Sequence, residues 1–224
     1  NYNSFLNQGI MTILTKEHIP KLIAKEFEEN FPVNPKDEYP KARHMKRKFY
    51  IHLGDTNTGK TYNALERLKT AQKGVYLSPL RILALENFEK LNREGVICDL
   101  STGEEEIVNV GATHTSCTIE KVNLKEHYDI AVIDEIQMIS DSFRGMAWSK
   151  SVLGLQCDEI HICGAANARY ILETILKDCG DEYEIKEYKR NIPLEIEYKN
   201  FSYNDVQEGD AIVVFSKKRV LEIA

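Results

Sequence analysis

The sequence lacks paired cysteine motifs, long apolar runs and an excess of positive charge. Its five cysteines contain no C-x-x-C pair and are odd in number, which argues against a disulfide framework and predicts a reducing compartment. No apolar run approaches the roughly 18 residues of a membrane span, so we expect a soluble protein with no membrane partner. The net charge is -6. Any nucleic-acid site must therefore be local, because the chain has no general basic field.

The chain has 224 residues, enough for one large α/β domain or for one domain and part of another. Residue 1 is asparagine and not methionine. We therefore expect the natural protein to begin earlier and any targeting signal to lie outside this sequence.

The stretch IHLGDTNTGKTY, residues 51–62, has the spacing of a phosphate-binding loop, a glycine followed after four residues by Gly-Lys-Thr. An alternating strand pattern at Phe49, Ile51 and Leu53 precedes it, and Leu65 and Leu68 start a helical stripe after it. Such a loop surrounds a phosphate with backbone N–H groups and a helix N-terminus. The candidate nucleotide-binding residues are Gly54, Asp55, Thr56, Asn57, Thr58, Gly59, Lys60 and Thr61.

A second motif, which is acidic, completes this chemistry. Asp134 and Glu135 follow the apolar run 130–133 directly. A carboxylate at a strand end can hold Mg²⁺ together with the Thr61 hydroxyl, while the adjacent acid orients an attacking water. An exposed turn is the alternative interpretation of the two acids.

Strand and helix patterns alternate along the chain. Continuous apolar runs at 130–133 and 160–163 are typical of parallel strands covered on both faces, so the fold class is α/β with a doubly wound, mostly parallel sheet. Within the second run, Cys157, His161 and Cys163 read as one buried strand in preference to a metal site. Other predicted segments are a packing helix at 15–30, a linker at 31–40, a basic run at 41–48 that is a solvated turn or a phosphate or base contact, two extended stretches within 183–199, and a buried strand at 211–215.

Further motifs make the prediction of function more specific. The stretch SPLRILA, residues 78–84, resembles the P-x-R-x-L-A motif of superfamily 2 helicases, and Asp134-Glu135-Ile136-Gln137 is similar to their DExH/DExD box. The stretches that fall in the order of that family's other motifs are 101–105, 118–120, 163–165 and 215–218. With Arg144-Gly145-Met146-Ala147-Trp148, the chain resembles the RNA helicase of the mitochondrial degradosome and its bacterial relatives, from about Tyr39 to Val220. It departs from the commoner pattern at Gln137 and at Cys163-Gly164-Ala165.

The resemblance implies a RecA-like P-loop NTPase that uses ATP and Mg²⁺. Residues 1–40 would be an N-terminal helical segment and linker, 41–195 the first RecA-like domain, and 196–224 the start of a second. Thr61 and Asp134 would hold Mg²⁺, and the catalytic set would be Lys60, Asp134, Glu135 and Gln137. The RNA backbone would lie along Pro79, Arg81, Gly103 and Thr118.

The implied partners are RNA, expected to be single-stranded, and a ribonuclease. The implied location is the mitochondrial matrix or a bacterial cytoplasm. A second domain normally supplies arginines that stabilise the transferring phosphoryl group, and after residue 215 only Arg219 remains. We therefore expect this chain alone to bind Mg-ATP, to hydrolyse it weakly and not to unwind duplexes.

Two alternatives belong to other classes. A nucleoside kinase of the thymidine-kinase type also combines a phosphate loop with an Asp-Glu-x-Gln box, but such enzymes carry the paired C-x-x-C knuckles that are missing here. The other alternative is an RNA-binding module whose nucleotide site is only structural.

Overall fold

The computed structural model of the protein describes residues 2–23, 34–190, 195–196, 198 and 202–223. The chain divides into two compact units, Asn1–Asn191 and Ile192–Ala224. Among the helices in the described ranges, none is long and apolar enough to cross a membrane.

An eight-stranded sheet organises the first unit. The strands are β1 (Lys48–Gly54), β2 (Gly74–Ser78), β3 (Cys98–Ser101), β4 (Glu106–Ile107), β5 (His114–Thr118), β6 (His127–Ile133), β7 (Gln156–Gly164) and β8 (Glu182–Tyr188). Their order in the sheet is β4-β3-β5-β2-β6-β7-β1-β8. Every neighbouring pair is parallel except β3 and β4.

Helices connect the strands and cover the sheet. The α-helices are α1 (Tyr2–Ile13), α2 (Pro40–His44), α3 (Lys60–Leu68), α4 (Arg81–Arg93), α5 (Gly145–Gly154), α6 (Arg169–Cys179) and, in the second unit, α7 (Lys217–Ile223). Short 3-10 helices occupy Pro35–Glu38, Ile119–Lys121, Ile136–Ser140, Ala166–Ala168 and Tyr203–Asp205.

The sheet has a hydrophobic core on each face. On one face, alternate residues of β1 such as Phe49 and Ile51 pack with Trp148 of α5 and Leu172 of α6. On the other face, a core lies under α3 and α4, with Leu68 and Leu91 among its buried residues. Helices on both faces of a mostly parallel sheet confirm the predicted doubly wound α/β class.

The parallel pairing brings the functional motifs to one edge. β1 ends at Gly54, β6 at Ile133 and β7 at Gly164, and these strands are neighbours in the order β6-β7-β1. The loops that follow them therefore meet at the carboxyl edge of the sheet, where ligands of open α/β sheets bind. The strand at 160–163 is also confirmed, with Cys157, His161 and Cys163 all buried in β7.

The N-terminal helix differs from the prediction. It begins at Tyr2 and not at Thr15, passes through a π-helical turn at Leu14–His18, and is again helical at 19–23. The predicted packing stripe is wrong in its described part, because Ile19, Leu22 and Ile23 are exposed. None of the side chains from 6 to 23 is buried, so in the described residues no element covers this face. Residues 24–33, which include the rest of the predicted helix and the start of the predicted linker, lie outside the described residues.

The basic run at 41–48 is neither a solvated turn nor a phosphate contact at its arginines. The side chain of Arg47 is 0% exposed and pairs with Asp181, while its NH1 donates to the carbonyls of Val152 and Leu155 at 3.0 and 3.1 Å. Arg43 donates to the Leu153 carbonyl at 2.7 Å. Both arginines donate to carbonyls at the end of α5 and pair with Asp181, so they tie the end of α5 to the residue just before β8.

The predicted strand at 211–215 is wrong. These residues have no regular structure, and Val213 and Phe215 are exposed. In the described residues of Ile192–Ala224 no neighbouring strand offers an edge for Ala211–Phe215 to pair with, and an unpaired segment gains nothing from the extended conformation. Arg219 lies near the start of α7. Of the two extended stretches predicted within 183–199, the first is β8, and most of the second lies outside the described residues.

Candidate nucleotide-binding site

The phosphate loop runs from the end of β1 to the start of α3. Gly59, the residue before α3, has φ 79°, a left-handed conformation that costs glycine little. It lets the loop turn directly into the helix, so that the first free N–H groups of α3 face the same space as the loop. This is the geometry of an anion site at a helix N-terminus.

Lys60 is folded back along the loop. Its Nζ donates to the carbonyl of Gly54 at 2.8 Å and also contacts the carbonyl of Asp55. The residue is 9% exposed, so its charge is held over the loop and not in bulk solvent. An ammonium at this place can exchange carbonyl partners for phosphate oxygens.

Asp134 is fixed on three sides at the end of β6. Its Oδ1 accepts from the Thr61 hydroxyl at 3.2 Å and from the Glu135 N–H at 3.0 Å, and its Oδ2 accepts from the Tyr76 hydroxyl at 2.8 Å. Its backbone carbonyl accepts from Trp148 Nε1 at 3.0 Å. Burial raises the pKa of the Asp134 carboxyl, and a bound cation would favour its charged form.

The Asp134 and Thr61 oxygens suit a magnesium ion. Mg²⁺ prefers hard oxygen ligands and keeps several waters, so one carboxylate and one hydroxyl beside a triphosphate form an ordinary donor set. Tyr76 and Trp148 were not among the predicted site residues. Their hydrogen bonds to Asp134 depend on the packing of β2 and α5 against β6, which no local motif encodes.

Gln137 connects the acid pair to the end of the neighbouring strand. Its Nε2 contacts Glu135 Oε2, and its Oε1 accepts from the Ala165 N–H at 3.0 Å. Glu135 itself has φ 50°, an uncommon conformation for a non-glycine residue, often found at functional sites. The two departures from the helicase motifs, at Gln137 and at 163–165, therefore contact each other.

The candidate RNA residues lie along the same edge of the sheet. Pro79, Gly103 and Thr118 follow or end β2, β3 and β5, which are neighbours in the order β3-β5-β2. Arg81, at the start of α4, pairs with Glu104. The structure thus brings all four predicted residues to one edge, separate from the phosphate loop.

Arg144 is a further residue at this edge. Its NH2 donates to the Pro79 carbonyl at 2.7 Å, its Nε donates to Glu120 at 2.9 Å, and its guanidinium lies 5.4 Å from the Trp148 ring. The motif 144–148 was recognised in the sequence, but no role was predicted for this arginine. It holds the loop after β2 against the loop after β5.

Comparison with known proteins decides the family. The DEXQ-box helicase domain of Suv3 matches residues 35–188, more than half of the chain. The chain belongs to this family of helicase domains. The predicted resemblance is thereby confirmed, and the kinase alternative has no support.

Full-length relatives show the same relationship. The chain is 46% identical over 187 residues to the rice protein "ATP-dependent RNA helicase SUV3L, mitochondrial", covering 83% of this chain and 26% of that one. It is 43% identical over 195 residues to human "ATP-dependent RNA helicase SUPV3L1, mitochondrial", covering 85% of this chain and 25% of the human protein. The chain thus spans about a quarter of the length of these relatives.

Among solved structures, the Pyrococcus furiosus Hef helicase domain matches with a TM-score of 0.47 and 18% identity over 70% of this chain and 37% of that chain.

Proposed function

We propose that this chain is the ATP-binding part of an RNA helicase motor. The observation that carries the proposal is the meeting of Thr61 and Asp134 at 3.2 Å beside Lys60, in a chain of the Suv3 helicase-domain family. A phosphate loop and an acidic strand end in this arrangement form a site for a nucleoside triphosphate and its metal ion.

Each site residue has a role in this proposal. The loop 54–59 and the N-terminus of α3 bind the phosphates, and Lys60 neutralises their charge. Thr61 and Asp134 would hold Mg²⁺, which supplies charge neutralisation on the triphosphate when bound. Glu135 orients the attacking water, and Gln137 holds the Glu135 carboxylate through its amide.

RNA binds along the ends of β2, β3 and β5 in this proposal. Pro79, Arg81, Gly103 and Thr118 line that edge, and Arg144 fixes its shape. We expect contacts to the backbone of single-stranded RNA and little readout of sequence, since phosphate and sugar contacts carry none. Separate ATP and RNA positions along one edge of the sheet allow hydrolysis at one to alter binding at the other.

The relatives' names also bear on location and partners. Those relatives are named mitochondrial RNA helicases. We propose a mitochondrial location and, through the resemblance to the degradosome helicase, a ribonuclease partner. Co-purification of a ribonuclease with the tagged natural protein from mitochondria would test both statements.

Nucleotide binding by the purified chain tests the function. A fluorescent ATP analogue should bind the wild type in the presence of Mg²⁺, and Lys60→Ala should abolish this binding because it removes the ammonium held over the loop. Lys125→Ala is the matched control, since Lys125 is exposed in the turn before β6, at the opposite edge of the sheet. Binding that survives Lys60→Ala contradicts the site.

Turnover separates the three function classes. A helicase motor shows ATP hydrolysis that rises with single-stranded RNA, a kinase phosphorylates a nucleoside, and a structural nucleotide site does neither. Phosphorylation of thymidine by this chain would overturn the proposal.

A further inference from the structure

We propose that Tyr188 and Arg190 are positioning residues for ATP binding, which hold the phosphate loop and its helix in place from the neighbouring strand. This inference rests on the proposed ATP site. Neither residue belongs to the phosphate loop or to the acidic motif, and both lie at or just after the end of β8.

Arg190 holds the tip of the phosphate loop. Its NH2 donates to the carbonyl oxygen of Thr56 and to the Thr56 hydroxyl, both at 2.8 Å. In a trans peptide the carbonyl and the following N–H point in opposite directions, so fixing the Thr56 carbonyl also fixes the direction of the Asn57 N–H. Asn57 has φ 58°, and a left-handed non-glycine residue persists only where its surroundings enforce it. Arg190 is one such constraint.

Tyr188 approaches the loop at its first residue. It is the register partner of Gly54 in the parallel pairing of β1 and β8. A Cβ on Gly54 would overlap the Tyr188 carbonyl oxygen, so the backbones are in close contact there. The Tyr188 hydroxyl lies 2.8 Å from His52 Nδ1 and accepts from Asn63 Nδ2 of α3 at 3.3 Å.

The hydroxyl also begins a chain of hydrogen bonds that returns to α3. His52 Nε2 lies 2.9 Å from His161 Nδ1, and His161 Nε2 lies 2.7 Å from Glu159 Oε1. Glu159 accepts two bonds from Arg67, at 2.7 and 2.8 Å.

The groups at the two ends determine which partner donates in each hydrogen bond of this chain. A carboxylate only accepts, so His161 donates from Nε2 to Glu159 and accepts at Nδ1 from His52. His52 then accepts at Nδ1 from Tyr188, because burial lowers the pKa of both histidines and each neutral ring has one N–H. The chain of hydrogen bonds starts from α3 at Asn63 and returns to α3 at Arg67, four residues later on the same face of the helix. Since α3 begins with Lys60 and Thr61, this ring of hydrogen bonds orients the helix that presents them.

Arg190→Ala should weaken binding of the ATP analogue about tenfold and raise KM for ATP while changing kcat little, because a charged donor to the loop is lost. Arg190→Lys keeps one cationic donor and should recover part of the affinity. Tyr188→Phe should act in the same direction, with the melting temperature measured to confirm that each variant is folded. Arg169→Ala is the matched control, because Arg169 also contacts β8, through Glu187, but does not contact the loop.

A double-mutant cycle tests whether Arg190 acts through Thr56. The loss of affinity from Arg190→Ala should be smaller in a Thr56→Ala background than in the wild type, because one of its two contacts is already gone. Equal losses in both backgrounds, or wild-type affinity for Arg190→Ala, overturn the inference while the proposed function stands. A wild-type chain that binds no ATP analogue overturns the proposed function as well.

Discussion

The hydroxyl of Thr61 and the carboxylate of Asp134 are joined by a 3.2 Å hydrogen bond across 73 positions of sequence. Thr61 lies in the first turn of α3 and Asp134 directly after β6, two strands away from β1 in the sheet. The bond brings the phosphate loop and the acidic motif into contact. Two oxygens at this distance can also bind a common cation.

Asp134→Asn should remove most of the Mg²⁺ dependence of ATP binding. The amide keeps the side chain's size but lacks the charge that the cation needs, so affinity with Mg²⁺ should fall most of the way to the value measured in EDTA. Titration of the ATP analogue with and without Mg²⁺ measures this. Glu86→Gln, at an exposed acid on α4, is the control and should retain the Mg²⁺ effect.

Glu135→Gln should keep nucleotide affinity and reduce hydrolysis about 10²- to 10⁴-fold, the usual effect of losing a general base. The contact with Gln137 allows the substituted side chain to stay in place. Single-turnover hydrolysis with saturating RNA provides the measurement. Hydrolysis at the wild-type rate would mean that a residue other than Glu135 orients the water.

Local motifs predicted much of this fold and site, because strands and phosphate loops are encoded by short-range patterns. β1, β6 and β7 lie close to their predicted positions, and α3 follows the phosphate loop as predicted. The partners of Asp134 and Thr56 could not be predicted, since Tyr76, Trp148 and Arg190 reach them only after the sheet assembles. The prediction that Ile19, Leu22 and Ile23 pack against another element was wrong, because an apolar pattern alone cannot show whether another element covers it.

Arg81→Ala should weaken RNA binding and flatten its salt dependence, while Glu104→Gln should strengthen binding. Arg81 is paired with Glu104, and both side chains are more than half exposed, at 55% and 74%. RNA phosphate must compete with this carboxylate for the guanidinium. The slope of log affinity against log salt should fall by about 0.7 for one lost phosphate contact with a single strand. Equal affinity of wild type and Arg81→Ala at all salt concentrations would exclude Arg81 from the RNA path.

Protonation of His52 should destabilise the fold in mild acid. Burial, with His161 and Lys186 nearby, lowers the pKa of His52 from 6.5 to about 4. Between these values the unfolded chain binds a proton that the folded chain does not, so the free energy of unfolding falls as pH falls from about 6.5 to about 4. Denaturant titrations of wild type and His52→Gln across this window should show a shallower pH dependence in the variant. His18→Gln, at an exposed histidine, is the control and should leave the wild-type pH dependence in place.

Gly164→Ala should destabilise the protein by about 1–3 kcal/mol and slow hydrolysis. A Cβ at this position would lie 2.5 Å from Gln137 Oε1 and 2.9 Å from the backbone nitrogen of Ile136. The Ile136 backbone cannot move aside easily, so the Gln137 side chain must shift away from the new methyl group. It then loses its bond to the Ala165 N–H. Chemical denaturation measures the first effect, with Gly103→Ala as the control because a Cβ there meets nothing within 4 Å. Single-turnover hydrolysis measures the second. A stable Gly164→Ala variant with unchanged hydrolysis would show that the contact between Gln137 and the end of β7 does not position Glu135.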